Sequence, residues 1–261
     1  LYEDSNYWNG IAGSSAKKIA LEFGHEPTII STDSATASKS ALATIRPTWF
    51  TKAEQVNIER SWSWYKKWNA DITRIAVVSN WRDPSMTKEQ DDWWLVQPIR
   101  VLEKPDIVGM VPYMELLSKN YDAVLNASGV GLRKDLNRYW GATLISKTAK
   151  ADNMPSRIHH IRPYHSVHIV ESDNAIRIGS SISKDKQKCY NEIYKMKELC
   201  EELGLVSKVD DWELSMGIRT QADDKKVIEP QLGERVTSIG GFHRTGYALA
   251  PDLIAQWIAT L

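Results

Sequence analysis

Two glycine-interrupted turns, each opening a helix, stand near opposite ends of this chain and constrain its fold more than any other feature. Near the C-terminus, Ile239-Gly240-Gly241-Phe242-His243-Arg244-Thr245-Gly246-Tyr247-Ala248-Leu249-Ala250-Pro251 runs an apolar strand into a glycine pair and an Arg-Thr-Gly turn. A helix opening beside the proline then continues to Leu261. Near the N-terminus, Gly10 to His25 reads as a glycine turn, a helix and a glycine stop, with Ile11, Ala16, Ile19, Ala20 and Phe23 on one face. Pro27 to Ile30 then reads as a short buried strand. Glycine lets backbone approach a ligand closely, and a helix start aims free N–H groups at electron-rich atoms. Turn, helix, glycine and strand form the first half of a dinucleotide-binding unit. A third segment, Tyr121 to Gly131 (YDAVLNASGVG), is an apolar strand ending in small residues, as backbone packing on a cofactor requires.

With MGIRTQADDKKVI (Met216 to Ile228), these segments resemble in family order the D-amino-acid oxidase/glycine oxidase family of FAD-dependent amine oxidoreductases. The N-terminal stretch NGIAGSSAKKIALEFGHEPTII and the C-terminal GGFHRTGYALAP carry most of the likeness. The resemblance implies an α/β fold, a Rossmann-like FAD-binding domain interleaved with a smaller α+β substrate domain built on an antiparallel sheet. It assigns 1–50, 119–138 and 212–261 to the first domain, and 51–118 and 139–211 to the second. Two positions depart from the family pattern. Trp8 stands at the first glycine of the triplet, and Ser31 stands where an acidic residue binds the adenosine ribose, with Asp33 nearby as a substitute.

The chemistry implied is hydride transfer from an amine carrying an α C–H to flavin, followed by imine hydrolysis, with O2 or another acceptor reoxidising the flavin. A glycine-like or secondary amino acid is the expected substrate. The resemblance places FAD contacts at Gly10, Ile11, Ala12, Gly13, Ser14, Ser31, Asp33, Ser34, Thr36, Ser38, Lys39, Ser128, Gly129, Gly241, Arg244, Thr245, Gly246 and Tyr247. No cysteine stands at the C-terminal position where some sarcosine oxidases attach FAD, so a noncovalent cofactor is expected. Arg219 matches the arginine that binds the substrate carboxylate, a role suited to a planar fork of donors. Arg244 matches a second arginine beside flavin and substrate. His243, Arg46 and Tyr164 complete the candidate substrate side.

Bulk properties narrow the alternatives. Lys+Arg and Asp+Glu balance at 33 each, which gives no electrostatic pull toward nucleic acid or membrane. No apolar run approaches the roughly 20 residues that span a bilayer, and Cys189 and Cys200 lack a CxxC spacing, so a cytoplasmic protein is expected. His159, His160, His165 and His168 cluster without carboxylate or thiol partners at ligand spacing, so no metal is expected. Helical patterns cover Ala53 to Trp68 and Asp185 to Leu203, the latter with Tyr190, Ile193, Met196, Leu199 and Leu203 inward. Strands are read over Ile72–Asn80, Trp93–Leu102, Ala142–Ser146, Ser166–Val170 and Ala175–Gly179, with a hairpin turn at Asp173-Asn174.

Eleven tryptophans are many for this length, and Trp62, Trp64 and Trp68 cannot all face one core. Contact within a homo-oligomer is the plain reading. Stacking on a nucleobase is the functional one, since one branch of the family acts on a glycine unit carried by a modified uridine. A glycine-modified nucleobase in DNA or RNA is therefore a second substrate class. A third reading is a degenerate, non-catalytic flavoprotein-like subunit, consistent with the departures at Trp8 and Ser31.

Overall fold

A computed structural model describes residues 10–31, 37–38, 40–70, 72–78, 93–109, 114–129, 135–151, 157–159 and 167–261. Three helices share the larger of two cores: α1 (Ile11–Glu22), α2 (Lys52–Lys67) and α6 (Gly246–Ile258). α1 packs through Ile11, Ala12 and Ile19, whereas Phe23 lies past the helix end and is exposed, against the sequence reading. α2 starts where a capping box allows: the Glu54 N–H donates to Thr51 Oγ1 and the Thr51 N–H donates to Glu54 Oε2. Every residue of α6 except Gln256 is buried.

Helix α6 begins at Gly246, so Pro251 lies inside it rather than at its start. Proline has no N–H, which leaves the Tyr247 carbonyl four residues earlier without its helical donor. The buried Tyr65 hydroxyl fills that place, donating to Tyr247 O at 2.6 Å. One turn earlier on α2, Ser61 Oγ accepts the Asp252 N–H at 3.2 Å. Two hydroxyls four residues apart on α2 thus repair the break in α6.

The strands form one large sheet and two small ones. The large sheet follows the order β11 (Glu213–Gln221), β7 (Asn137–Ser146), β10 (Ala175–Ser183), β9 (Val167–Ser172), β8 (Arg157–His159), β3 (Ile72–Val78), β4 (Trp93–Val96) and β2 (Thr44–Ile45). Every neighbouring pair is antiparallel except β3 with β8. Asp173 and Asn174 join β9 to β10 with φ of 55° and 57°, the conformation a two-residue type I′ turn needs. The strand expected over 93–102 stops at Val96, because Pro98 opens the short helix α3 (Pro98–Val101).

Helix α5 (Lys186–Glu202) is capped by the Asp185 carboxylate and lies across β7 and β10. Its Cys189, Ile193, Met196 and Cys200 form a second core with Leu144, Ile176 and Ile178. Tyr190, expected inward, is 39% exposed, and the two free cysteines take the buried face instead. The small sheets are parallel pairs: β1 (Ile30–Ser31) with β5 (Ile107–Val108), and β6 (Val124–Asn126) with β12 (Val236–Ser238). The strand expected at 27–30 is only the two residues of β1, and these are half-buried. A four-residue helix, α4 (Met114–Leu117), precedes β6. Trp62, Trp64 and Trp68 are all half-buried against the larger core, through contacts with Trp94, Phe23 and Tyr65 respectively.

Candidate active site

The helix starts of α1 and α6 meet. A methyl added at Gly246 would fall 2.9 Å from Ile11 Cγ2, so glycine is what lets the two first turns touch. Tyr247, next in line, donates its buried hydroxyl to Ser38 O at 3.1 Å, and Ser38 Oγ accepts the Ile11 N–H at 2.8 Å. Gly10 caps α1 in extended conformation with no side-chain cap. The helix start is thus held by Ser38 and Tyr247, and Gly10 to Gly13 border open space.

That space is a cavity of about 2190 Å³. It receives Gly10, Ile11, Ala12 and Gly13 from α1, Ser31 from β1, Ser38 and Arg46 from the segment leading to β2 and beyond, and Ser128 and Gly129 after β6. Arg219 on β11 and Gly241, His243, Arg244, Thr245, Gly246 and Tyr247 before or within α6 also line it. Ser14 does not: it is fully buried and its Oγ accepts the Glu103 N–H at 2.9 Å. Trp8, Asp33, Ser34, Thr36, Lys39, Tyr164, His160 and His165 lie outside the described residues.

Arg219 is the unusual side chain here. It is only 8% exposed, yet among the described residues no carboxylate lies within ion-pair reach of it. Register explains its path. Arg219 pairs with Tyr139 and Gly217 with Gly141 across β11 and β7, so all four side-chain positions fall on one face. The guanidinium lies over Gly141, where an added methyl would be 2.7 Å from Nε. Burial pulls its pKa down, the Cys189 thiol opposes that, and Arg244 adds to the lowering. It nevertheless stays protonated, as arginine does in proteins.

His243 sits at φ 50° with its N–H donated to Thr220 O at 2.8 Å, which fastens the 239–245 loop to β11. Its ring meets Tyr139 edge-on at 5.2 Å. Burial, with Arg219 and Arg244 nearby, brings its pKa down to about 4, so the imidazole is neutral at pH 7. Arg244 is exposed, and its guanidinium lies 4.9 Å from the centroid of Trp49. Arg46 approaches the same ring at 5.3 Å. Sequence reasoning missed Trp49 and Gly141. Trp49 belongs to no motif, and the need for glycine at 141 arises only from the strand opposite.

No family model matches the sequence, and comparison with curated proteins finds no match. Solved structures do match. Glycine oxidase from Bacillus cereus is 12% identical, with 96% of this chain and 95% of that one covered at a TM-score of 0.61. Iminodiacetate oxidase from Chelativorans is 12% identical, covering 96% and 93% at 0.59. L-amino acid deaminase from Proteus vulgaris is 11% identical, covering 96% and 86% at 0.58. Matched over nearly their full lengths at these TM-scores, the three structures show that this chain shares the fold of glycine oxidase, iminodiacetate oxidase and L-amino acid deaminase.

Proposed function

We propose that the protein is an FAD-dependent amine oxidoreductase acting on the C–N bond of a glycine-like or secondary amino acid. The observation that carries this reading is Arg219, a buried cation without a carboxylate partner among the described residues, facing a cavity that also receives two helix starts. The residues fit a dinucleotide cofactor on physical grounds. The cavity exceeds the roughly 300–1,000 Å³ of a site for one drug-sized ligand, which leaves room for cofactor and substrate together. The first turn of α1 offers backbone donors to a pyrophosphate, and glycine or small residues at 10, 12, 13, 241 and 246 permit close approach. Gly10 to Gly13, Ser31, Ser38, Ser128, Gly129, Gly241 and Arg244 to Tyr247 would hold the cofactor noncovalently.

Bound flavin supplies the hydride acceptor, with O2 or another acceptor reoxidising it. The chain supplies orientation. Arg219 fixes the substrate carboxylate and thereby which α C–H is presented. His243 enters uncharged, so it does not compete for that carboxylate. Arg46 and Arg244 stand on the outer side with Trp49. Water reaching the cavity hydrolyses the product imine. The interleaved domain division, with FAD bound by 1–50, 119–138 and 212–261, remains part of this proposal. α1, α6 and the β6–β12 pair support it, while β5 and β11 cross it by pairing with β1 and β7.

The visible spectrum of the protein before and after FAD addition tests the reading. Oxidised-flavin bands that bleach anaerobically with glycine or sarcosine are expected. A flat spectrum with no FAD uptake would favour the non-catalytic subunit instead. For a nucleobase substrate, support from the tryptophan trio has weakened: Trp62, Trp64 and Trp68 pack within the fold, and none lines the cavity.

A further inference from the structure

Arg219 is seated on a stretch of sheet that has little to stiffen it. Gly141 of β7 pairs with Gly217 of β11, so neither position offers a side chain to the face that the guanidinium crosses. Glycine in a strand interior has nothing to pack and weakens the strand. The guanidinium lies close over that seat, since a methyl on Gly141 would be 2.7 Å from Nε and 3.1 Å from Cζ. Its place in the cavity therefore follows the position of the β7 backbone at residues 140–141. Helix α5 packs on the other face of β7, and there the same backbone is held. Cys189, at the end of the first turn of α5 and fully buried, donates its thiol to the Trp140 carbonyl at 3.4 Å. Between Gly179 and Ser181 the register of β10 against β7 shifts by one residue, which pairs Ser181 with Ala142 on the α5 side. The Ser181 hydroxyl donates to the Cys189 carbonyl at 2.7 Å and lies 3.0 Å from the sulfur. Burial pushes the thiol's pKa up, against the pull of Ser181 and Arg219, so at pH 7 it is an S–H donor.

We propose that Cys189 is a positioning residue for the carboxylate site, pinning the Trp140–Gly141 backbone from the α5 side so that the Arg219 guanidinium keeps one place in the cavity. This rests on the reading of Arg219 as the carboxylate-binding group, and adds to it a residue that lies outside the cavity. Cys189 acts through a single peptide unit of β7. A thiol suits the task, because it packs as a small apolar group in the core and still donates a hydrogen bond. Without it the Trp140 carbonyl loses that donor, and the glycine-paired strand is freer to shift under the guanidinium.

Two readouts separate the placement of Arg219 from its use. Hydrogen exchange of the Arg219 Nε–H, identified as the side-chain NMR signal that Arg219→Lys removes, reports the placement. Calorimetric titration with sarcosine reports carboxylate binding. Cys189→Ala should speed the exchange about fivefold and weaken sarcosine binding by a similar factor, the scale of one neutral hydrogen bond. Cys189→Ser, which keeps a donor, should bring both to within about twofold of the parent. Cys200→Ala, on the same buried face of α5, should lower the melting temperature and leave both readouts unchanged. Where Cys189→Ala does not fold, Ser181→Ala carries the same expectation, because it releases Cys189 from its other side. Exchange that neither alanine variant alters, that Cys189→Ser fails to restore or that Cys200→Ala alters equally overturns the inference. A parent protein that does not bind sarcosine while its exchange still responds to Cys189→Ala counts against the carboxylate reading alone, and the placement of Arg219 by Cys189 stands.

Discussion

Replacing Gly141 by alanine tests whether the seat of Arg219 sets carboxylate affinity. The added methyl would stand 2.7 Å from Arg219 Nε and 3.1 Å from Cζ and Nη2. Ordinary contact begins at 3.4 Å, so the guanidinium must withdraw by about 0.7 Å, the difference between 3.4 and 2.7 Å. A long side chain yields more readily than the backbone of β7, so stability should fall by only about 1 kcal/mol, the low end for overpacking. Binding suffers more. Withdrawal on this scale spoils a two-point grip on a carboxylate, and one lost charge-assisted hydrogen bond amounts to about 1.5–3 kcal/mol, or roughly 10- to 100-fold in affinity. Calorimetric titration with sarcosine reads the affinity, and thermal unfolding reads the stability. Gly109→Ala serves as the control, since a methyl there meets nothing within 4 Å. FAD uptake should be unaffected in both, because neither glycine lines the cavity. A folded Gly141→Ala protein that binds sarcosine as tightly as the parent would refute the assignment of Arg219.

Three further outcomes are expected. Arg219→Met should raise the melting temperature while abolishing sarcosine binding, because it removes a buried cation that has no ion-pair partner among the described residues; a lowered melting temperature would mean the guanidinium is stabilised within the fold. His243, held at about 4 in the folded protein against about 6.5 unfolded, takes up its proton later than the unfolded chain does as pH falls. Its contribution is therefore complete above pH 6.5 and is lost progressively down to about 4, a loss on the order of 1–2 kcal/mol after allowance for solvent screening at the half-buried ring. His243→Gln should flatten the stability profile across that window, and an unaltered slope counts against the assignment. Tyr65→Phe should cost about 1–2 kcal/mol in denaturant unfolding, since it leaves the Tyr247 carbonyl beside Pro251 buried without a donor; a neutral result would mean that water or a backbone shift replaces the hydroxyl.

What the sequence disclosed and what it hid divide along one physical line. Local rules reached the glycine stop of α1, the start of α5 at Asp185 and the Asp173-Asn174 turn, because each depends on residues within a few positions of one another. Arg219 was found through a motif, and the helix starts through glycine spacing. Burial of particular side chains was less accessible. Tyr190 and Phe23 fit the helical period but are exposed, because Cys189 one position earlier takes the buried face of α5 and Phe23 lies past the end of α1. Pro251 reads locally as a helix start; only α2, nearly two hundred residues away in sequence, supplies the hydroxyls that let the helix run through it. Trp49 and Gly141 gain their meaning from partners on other elements, so no inspection of their neighbours in sequence would single them out.

The dependence of Arg219 on Gly141 bears on how the site should be understood. A guanidinium brought to 8% exposure with no carboxylate partner among the described residues loses hydration that those residues do not return, so the position lowers stability unless an anion completes it. The fold adds to that cost rather than relieving it. A glycine in the middle of β7 weakens the strand, and Arg244 disfavours the charge on Arg219. Three locally unfavourable choices on β7, β11 and the loop before α6 thus converge on one point in the cavity. Packing alone would be better served by an apolar residue at 219 and a β-former at 141. The arrangement makes physical sense as a prepared anion site, with the positive charge desolvated in advance so that a carboxylate meets it at low dielectric and in one orientation.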